Sequence, residues 1–361
     1  MRRILPAEDR LPPILANIYE DAGFRAYKMR KFEEYSLYLE NRSFLESERV
    51  ITFNDMTGRL LALKPDVTLS IVKNAKADRK GCEKLYYRES VYRLDRKSGE
   101  YREINQMGLE VIGDTDTLQT LEVLSLAVRT LEATGEEYVL DVSHMGVISA
   151  VTGLIDGLRE EDRAQILYLI KTKNPHDLAA LCARMEVGEE IARTLAVMAG
   201  PSFGFADSLR KLKESAPAAA AEALSELESI YSALSSLGLA GSVELDFSIV
   251  NDTDYYNGII FQGFVKGIHK EVLSGGRYDG LLSKFGKKAG ALGFAVYLTD
   301  LAPRREGDAN DCDYDVLLRY SDGSDPKEVL KKAAQLRADG SSVRVEKEIP
   351  AGLRFGRTEE V

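Results

Sequence analysis

Apolar residues change their spacing several times along the chain, and each change marks an element. Near the start, Leu15, Ile18 and Tyr19 recur at helical spacing just behind Pro12-Pro13, and proline suits the first turn of a helix, so the pattern predicts a helix over 14–22. Two short apolar runs, 50–53 and 60–63, flank Asn54-Asp55-Met56-Thr57-Gly58, whose Asn, Asp and Gly fit a tight turn between antiparallel strands. Two more β-rich runs, 84–92 and 107–112, are separated by the charged stretch 95–103, which reads as a long solvated hairpin loop. Leucines and valines then predict an amphipathic helix over 115–132, and 138–142 reads as a strand.

Between about 146 and 238 the strand pattern disappears. The segment is rich in Ala, Leu and Glu, with Asn174-Pro175 and Asp177 as a helix start, and with Leu224, Leu227, Tyr231 and Leu234 three and four residues apart before Gly238. Strand character returns over 243–250, 258–265 and 271–274, and 290–301 combines a glycine-rich strand with the start of a helix. After 302–311 the tail reads as βαβ: a strand over 314–320, a helix over 326–338 closed by Gly340, and a strand over 342–346. The expected class is α+β, with one domain over 1–305, interrupted by a helical insertion at about 146–238, and a short α/β segment over 311–361.

Composition narrows what such a fold does. At 361 residues, two or three domains of about 150 residues are expected. A balance of 48 Lys and Arg against 58 Asp and Glu, −10 in all, argues against a protein that coats phosphate backbones. Cys82, Cys182 and Cys312 are far apart and odd in number, which suggests neither disulfides nor a zinc site and fits a reducing cytosol. Residues 1–5 carry two arginines, but the following charges interrupt any signal-peptide core, and the longest apolar runs, such as 291–298, are far short of a membrane span. With only His144, His176 and His269 present, histidine-centred catalysis has few candidates.

Four clusters carry the candidate chemistry. They are Leu63-Lys64-Pro65-Asp66-Val67-Thr68; a row running from Tyr87-Arg88-Glu89 through Tyr101-Arg102-Glu103-Ile104-Asn105-Gln106 to Glu110; Asn251-Asp252-Thr253-Asp254-Tyr255-Tyr256; and Gly275-Gly276-Arg277-Tyr278-Asp279 followed by Gly293-Phe294-Ala295. Strand alternation puts Gln106 and Glu110 on one face, so a polar row crosses a sheet that is otherwise apolar. Each cluster alone also has a plain structural reading: Asp66 as a helix cap, Arg88 and Glu89 as a surface pair, the glycines as turns.

Taken in order, the clusters resemble the class II aminoacyl-tRNA synthetases, and histidine–tRNA ligase in particular. Residues 63–68 are similar to its Leu-Arg-Pro-Glu-Gly-Thr, Arg88 onward with Arg102, Ile104 and Gln106 to its motif 2, 251–256 to its Arg-Gly-Leu-Asp-Tyr-Tyr, and 293–300 to its motif 3, while Gly-Gly-Arg-Tyr-Asp stands unchanged. The resemblance implies an antiparallel sheet flanked by helices. It also implies a histidine site in which Asp66, Thr68 and Gln106 hold the amino group, Glu110, Tyr255, Tyr256 and Tyr278 wall the imidazole, and Arg88 is the one retained phosphate-facing cation.

The departures point away from catalysis. Asn251 stands at the signature arginine, Asp300 at the motif 3 arginine, and Tyr297 at a glycine of the nucleotide strand. At about 5 Å and an effective dielectric near 20 a charge pair is worth roughly 3 kcal/mol, so reversing one sign shifts the interaction by roughly 6–7 kcal/mol. That is on the order of 10⁴–10⁵ in rate. The tail also holds only the opening of an anticodon-binding domain, so tRNA reading is not expected. The pattern resembles the synthetase-derived regulatory subunits of ATP phosphoribosyltransferase. That resemblance implies no catalysis and no cofactor or metal, a short-form catalytic subunit as partner, histidine as effector, a homodimer within a hetero-oligomer, a cytoplasmic location, and neither nucleic-acid nor membrane binding. A divergent histidine–tRNA ligase is the alternative. Leu15 and Ile18 fit either a dimer interface or the core.

Overall fold

The structure is a computed structural model that describes residues 7–42, 45, 50–75, 81–95, 98–250, 255–301 and 312–361. Its contacts separate two compact units, Leu11–Asp300 and a smaller one formed by Leu301–Val361 with the first ten residues.

The larger unit is built on an eight-stranded sheet. Its strands run in the order Arg25–Ala26, Cys82–Leu94, Tyr101–Gly113, Gly290–Tyr297, Leu273–Arg277, Ile259–Val265, Tyr138–His144 and Val243–Leu245. The six central strands pair antiparallel, as expected, but a short parallel strand closes each edge, so the sheet is mixed. Cys82–Leu94 and Tyr101–Gly113 pair along their whole length, from Cys82 opposite Gly113 to Leu94 opposite Tyr101. The hairpin loop is therefore shorter than the charge pattern suggested, because the exposed Tyr101, Arg102 and Glu103 still pair through their backbones.

The two faces of this sheet differ in character. One carries Met107, Leu109, Val111, Phe294 and Val296, all buried beneath helices Ala7–Asp21 and Thr117–Glu132. Tyr19 of the first helix packs on Phe294 with ring centroids 6.1 Å apart and hydrogen-bonds its hydroxyl to that of Thr130, on the second helix, over 2.8 Å. Leu15 is wholly buried within this one chain and belongs to the core; Ile18 is half-buried. The first helix starts ahead of its prolines rather than at them. The missing Pro12 and Pro13 N–H groups deprive the Glu8 and Asp9 carbonyls of helical donors, on a turn where Asp9 and Arg10 face water. The second helix opens with a capping box, in which Asp116 accepts from Leu118 and Gln119 N–H while the Gln119 side chain accepts from Asp116 N–H.

The other face is covered by the segment that holds the small sheet Phe32–Glu34, Leu60–Leu63 and Thr52–Asn54 and the helix Thr68–Asn74. Its core gathers Tyr38, Leu69, Ile71 and Val72 against Leu85, Tyr87, Val91 and Ile112. Between Tyr138–His144 and the parallel strand Val243–Leu245 the chain is helical, from Met145–Thr152 to Ala221–Ser236. Asn174 caps Pro175–Arg184 by accepting from Asp177 N–H, and the strand expected over 243–250 ends at Leu245 in a short turn of helix.

In the smaller unit Tyr314–Arg319, Pro326–Ala338 and Val343–Glu346 form the expected βαβ, joined by a further parallel strand, Phe355–Glu360, on the other side of the first. That strand is mostly exposed and lacks an apolar alternation, so nothing in its pattern marked it.

Because the Asp116 side chain satisfies two otherwise orphaned backbone donors, Asp116→Ala is expected to destabilise the protein by about 1 kcal/mol. A urea-unfolding midpoint unchanged from wild type would show that the box contributes nothing.

Candidate functional site

Pairing across the sheet builds the site. Glu110 lies opposite Gly293, and Gly293 lies opposite Gly276, so two side-chain-free positions run beside the carboxylate. A Cβ on Gly293 would sit 1.9 Å from Glu110 Oε2 and 2.3 Å from the Leu109 carbonyl. One on Gly276 would meet the Tyr256 ring at 2.7 Å. The glycines are thus a floor over which other side chains lie, rather than turns.

Glu110 is 2% exposed. Tyr278 donates its hydroxyl to Glu110 Oε2, and Thr68 donates to Oε1 over 2.9 Å. Burial outweighs these two hydrogen bonds and, with the Asp66 charge nearby, raises the carboxyl to about 8. Tyr255 packs on Tyr278 at 6.0 Å and edge-on to Tyr256 at 4.5 Å, and its phenol is pushed far up by burial although Thr68 bonds to it. Gln106, on the same face and 3% exposed, has a buried Oε1 with no hydrogen-bonding partner among the described residues. Asp66 accepts from Leu69 N–H at 2.8 Å, so it does cap the helix Thr68–Asn74, while its other oxygen lies 4.0 Å from Arg93. The result is a buried, acceptor-rich cluster walled by phenols, whose chemistry suits a small ligand that carries several N–H donors.

The histidyl-tRNA synthetase family model matches residues 7–301. An ATP phosphoribosyltransferase regulatory subunit from Caldanaerobacter subterraneus is 31% identical over 91% of this chain and 87% of its own length. The chain belongs to the ATP phosphoribosyltransferase regulatory subunit family. The structure described as an ATP phosphoribosyltransferase regulatory subunit/histidyl-tRNA synthetase from Bacillus halodurans shares the fold with a TM-score of 0.78, at 23% identity over 100% of this chain and 96% of that one. A chain of the ATP phosphoribosyl transferase complex from Thermotoga maritima shares it with a TM-score of 0.63, at 20% identity over 81% of this chain and 97% of that one.

For this regulatory-subunit family member, the structure gathers Asp66, Thr68, Tyr255, Tyr256 and Tyr278 around Glu110, with Gln106 four residues along the same strand face, but not Arg88. Arg88 is paired with Met107, one residue out of phase with the Glu89–Gln106 pair, so its side chain leaves the opposite face. There it is exposed and lines a cleft of about 180 Å³ with Lys31, Lys64, Glu89, Ser90, Tyr92 and Asn105. The arginine on the pocket face is Arg93, which donates to the Pro65 carbonyl at 2.8 Å and stands beside Asp66. The signal for it was the spacing Arg93-Leu94-Asp95, an Arg-x-acid pattern that Arg88-Glu89 lacks. Glu89 is no surface pair with Arg88 either: it forms an ion pair with Lys64, which is almost wholly buried, and accepts from Met29 N–H at 3.2 Å. Asn251, Asp252, Thr253 and Asp254 lie outside the described residues.

At the other end of the same strands, Tyr297 is paired with Gln106, and Asp300 is neutralised by Lys270 at 2.6 Å. Among the described residues no group of three or more His, Cys, Asp or Glu side chains is arranged to hold a metal ion.

Because Glu110 is raised from 4.5 to about 8, the folded chain retains a proton that the unfolded chain has released within that range, so stability falls as pH rises through it. Glu110→Gln removes this titration. The variant is expected to gain stability relative to wild type between about pH 5 and about pH 8.5. Parallel urea-unfolding midpoints for the two proteins across that range would contradict the assignment.

Proposed function

We propose that this chain is a non-catalytic regulatory subunit that binds free histidine in the Glu110 pocket. It assembles in the cytoplasm, as a homodimer, with the short-form catalytic subunit of ATP phosphoribosyltransferase, and makes the first step of histidine biosynthesis responsive to its end product. The observation that carries this reading is the contrast along one sheet face: a buried cluster of acceptors and phenols around Glu110 and altered residues, Tyr297 and Asp300, at the end expected for nucleotide.

In this reading the imidazole lies among the three tyrosines and donates to Glu110, which becomes ionised when a donor replaces lost solvent. The ammonium approaches Gln106 Oε1, a buried acceptor with no other partner among the described residues, and the Asp66 carboxylate. Asp66 is one methylene shorter than the glutamate of the synthetase pattern and already caps a helix, so the ammonium sits deeper in the pocket than in a ligase. Adenylation would need cations where phosphate charge develops. Among the described residues Arg93, near Asp66, has that character, while the Asp300–Lys270 pair supplies no net positive charge. The name of the Caldanaerobacter relative and the complex from Thermotoga supply the partner in this proposal. Among the described residues no helix is long and apolar enough to cross a membrane.

The test reconstitutes the chain with its organism's short-form phosphoribosyltransferase and titrates histidine. Transferase activity is expected to depend on both chains and to fall with histidine. The double change Glu110→Ala plus Tyr255→Phe is expected to raise the half-inhibitory concentration at least about tenfold, equivalent to about 1.4 kcal/mol. Unchanged inhibition would place the effector elsewhere, and histidine-dependent ATP–pyrophosphate exchange by the chain alone would establish the ligase alternative instead.

A further inference from the structure

The Gly275–Arg277 strand end serves two sides at once. Arg277 is paired with Leu292 and so faces away from the pocket, whereas the next residue, Tyr278, reaches Glu110. The Arg277 guanidinium donates to the Thr115 carbonyl at 3.0 Å, stands 3.8 Å from Asp279, and turns its Nη1 toward Glu226 Oε1 at 3.9 Å. Its Nε is buried and makes no hydrogen bond to a described residue. A Cβ on Gly258 would lie 3.0 Å from Arg277 Cδ, so the side chain packs down on the backbone there.

Arg277 also organises the second wall. Its carbonyl accepts from Asn257 N–H at 3.0 Å, and the Asn257 amide exchanges two 3.2 Å hydrogen bonds with Asp279. Asn257 directly follows Tyr255 and Tyr256. Both tyrosine-bearing segments of the pocket are therefore tied at this arginine.

Glu226 comes from the helix Ala221–Ser236, at the end of the helical segment that interrupts the sheet. His144 Nδ1 accepts from Gly146 N–H at 3.0 Å, so the ring proton resides on Nε2 and is donated to Glu226 Oε2, also at 3.0 Å. That bond, with the Arg277 charge behind it, holds the Glu226 carboxyl below its usual range and keeps it anionic. One oxygen is thus fixed to the strand end at His144 and the other faces Arg277.

We propose that Glu226 is a positioning residue for the pocket: its charge holds Arg277, and through Arg277 it fixes the tyrosine walls, coupling the helical segment to occupancy of the Glu110 site. The identity of the occupant rests on the reading above, but the positioning role does not. Because coupling is reciprocal, whatever displaces Glu226 from Arg277 loosens the pocket, and whatever fills the pocket tightens the Glu226 contact.

The test uses the full chain. Glu226→Gln keeps an acceptor for His144 and the side-chain volume but removes the charge facing Arg277. Histidine affinity by calorimetry is expected to weaken about fivefold or more. Carbon-13 NMR titration is expected to show Glu110 moving down by about one unit as its walls admit water. Glu228→Gln, on the same helix as Glu226 and disrupting an exposed pair with Lys213 of the helix Phe205–Ser215, is expected to change neither readout. Glu226→Gln indistinguishable from wild type in the Glu110 titration would overturn the positioning role. A wild-type chain that binds no histidine would overturn the reading of the pocket, with the titration still deciding the role of Glu226.

Discussion

A carboxylate in the middle of a sheet has to be accommodated by everything around it, and Glu110 imposes that condition on this fold. Its side chain crosses the neighbouring strand at Gly293, where no other residue would fit, and reaches Tyr278 from the strand end beyond. Taking an ionised carboxylate out of water costs several kcal/mol unless partners compensate. Two hydroxyls do so only in part, which is why the group holds its proton to about pH 8. Such a site is stable when empty because it is neutral, and it gains most from a ligand that brings its own N–H donors or positive charge.

The same strands set how close an altered residue lies to the buried carboxylate. Gln106 is paired with Tyr297, and Glu110 with Gly293, four residues along each strand. At about 3.3 Å per residue Tyr297 lies about 13 Å from Glu110 along the sheet but directly beside Gln106, so a change at 297 meets Gln106 and leaves Glu110 untouched. Tyr297 ends its strand and Asp300 follows in the short helix Leu298–Leu301. Neither Tyr297 nor Asp300 is among the hydrogen-bonding partners of Glu110, which are Thr68 and Tyr278. The shared fold is thus compatible with either activity, and the side chains along one face distinguish them.

Strand positions with apolar runs and helices with clear caps were legible because burial leaves a period in the sequence. Thr117–Glu132, with its Asp116 and Gln119 box, is such a case, as is Pro175–Arg184. Edge and surface pairings left no such mark: Tyr101, Arg102 and Glu103 pair by backbone alone, and Phe355–Glu360 lies mostly in solvent. In the site, Asp66, Thr68, Gln106, Glu110 and the three tyrosines were legible from motif order. The Arg88 placement failed because a strand's two faces differ by one residue, and only pairing with the partner strand shows that Arg93, not Arg88, shares the face of Gln106. Arg277 was legible only as part of a motif, since its contacts with Thr115 and Glu226 come from segments far apart in sequence.

That dispersal bears on how occupancy can act at a distance. The pocket is assembled from the start of the helix Thr68–Asn74, from the strand Tyr101–Gly113, from Tyr255 and Tyr256, and from Tyr278, four segments that meet only in the folded chain. A ligand that bonds to all of them gains affinity only in the arrangement where they are together, and it shifts the population toward that arrangement by that difference and no more. Arg277 converts the closeness of two of these segments into a charge contact with Glu226 on the inserted helices. A subunit without chemistry of its own needs only this: a site whose assembly is shared with a surface element, so that filling one changes the free energy of moving the other.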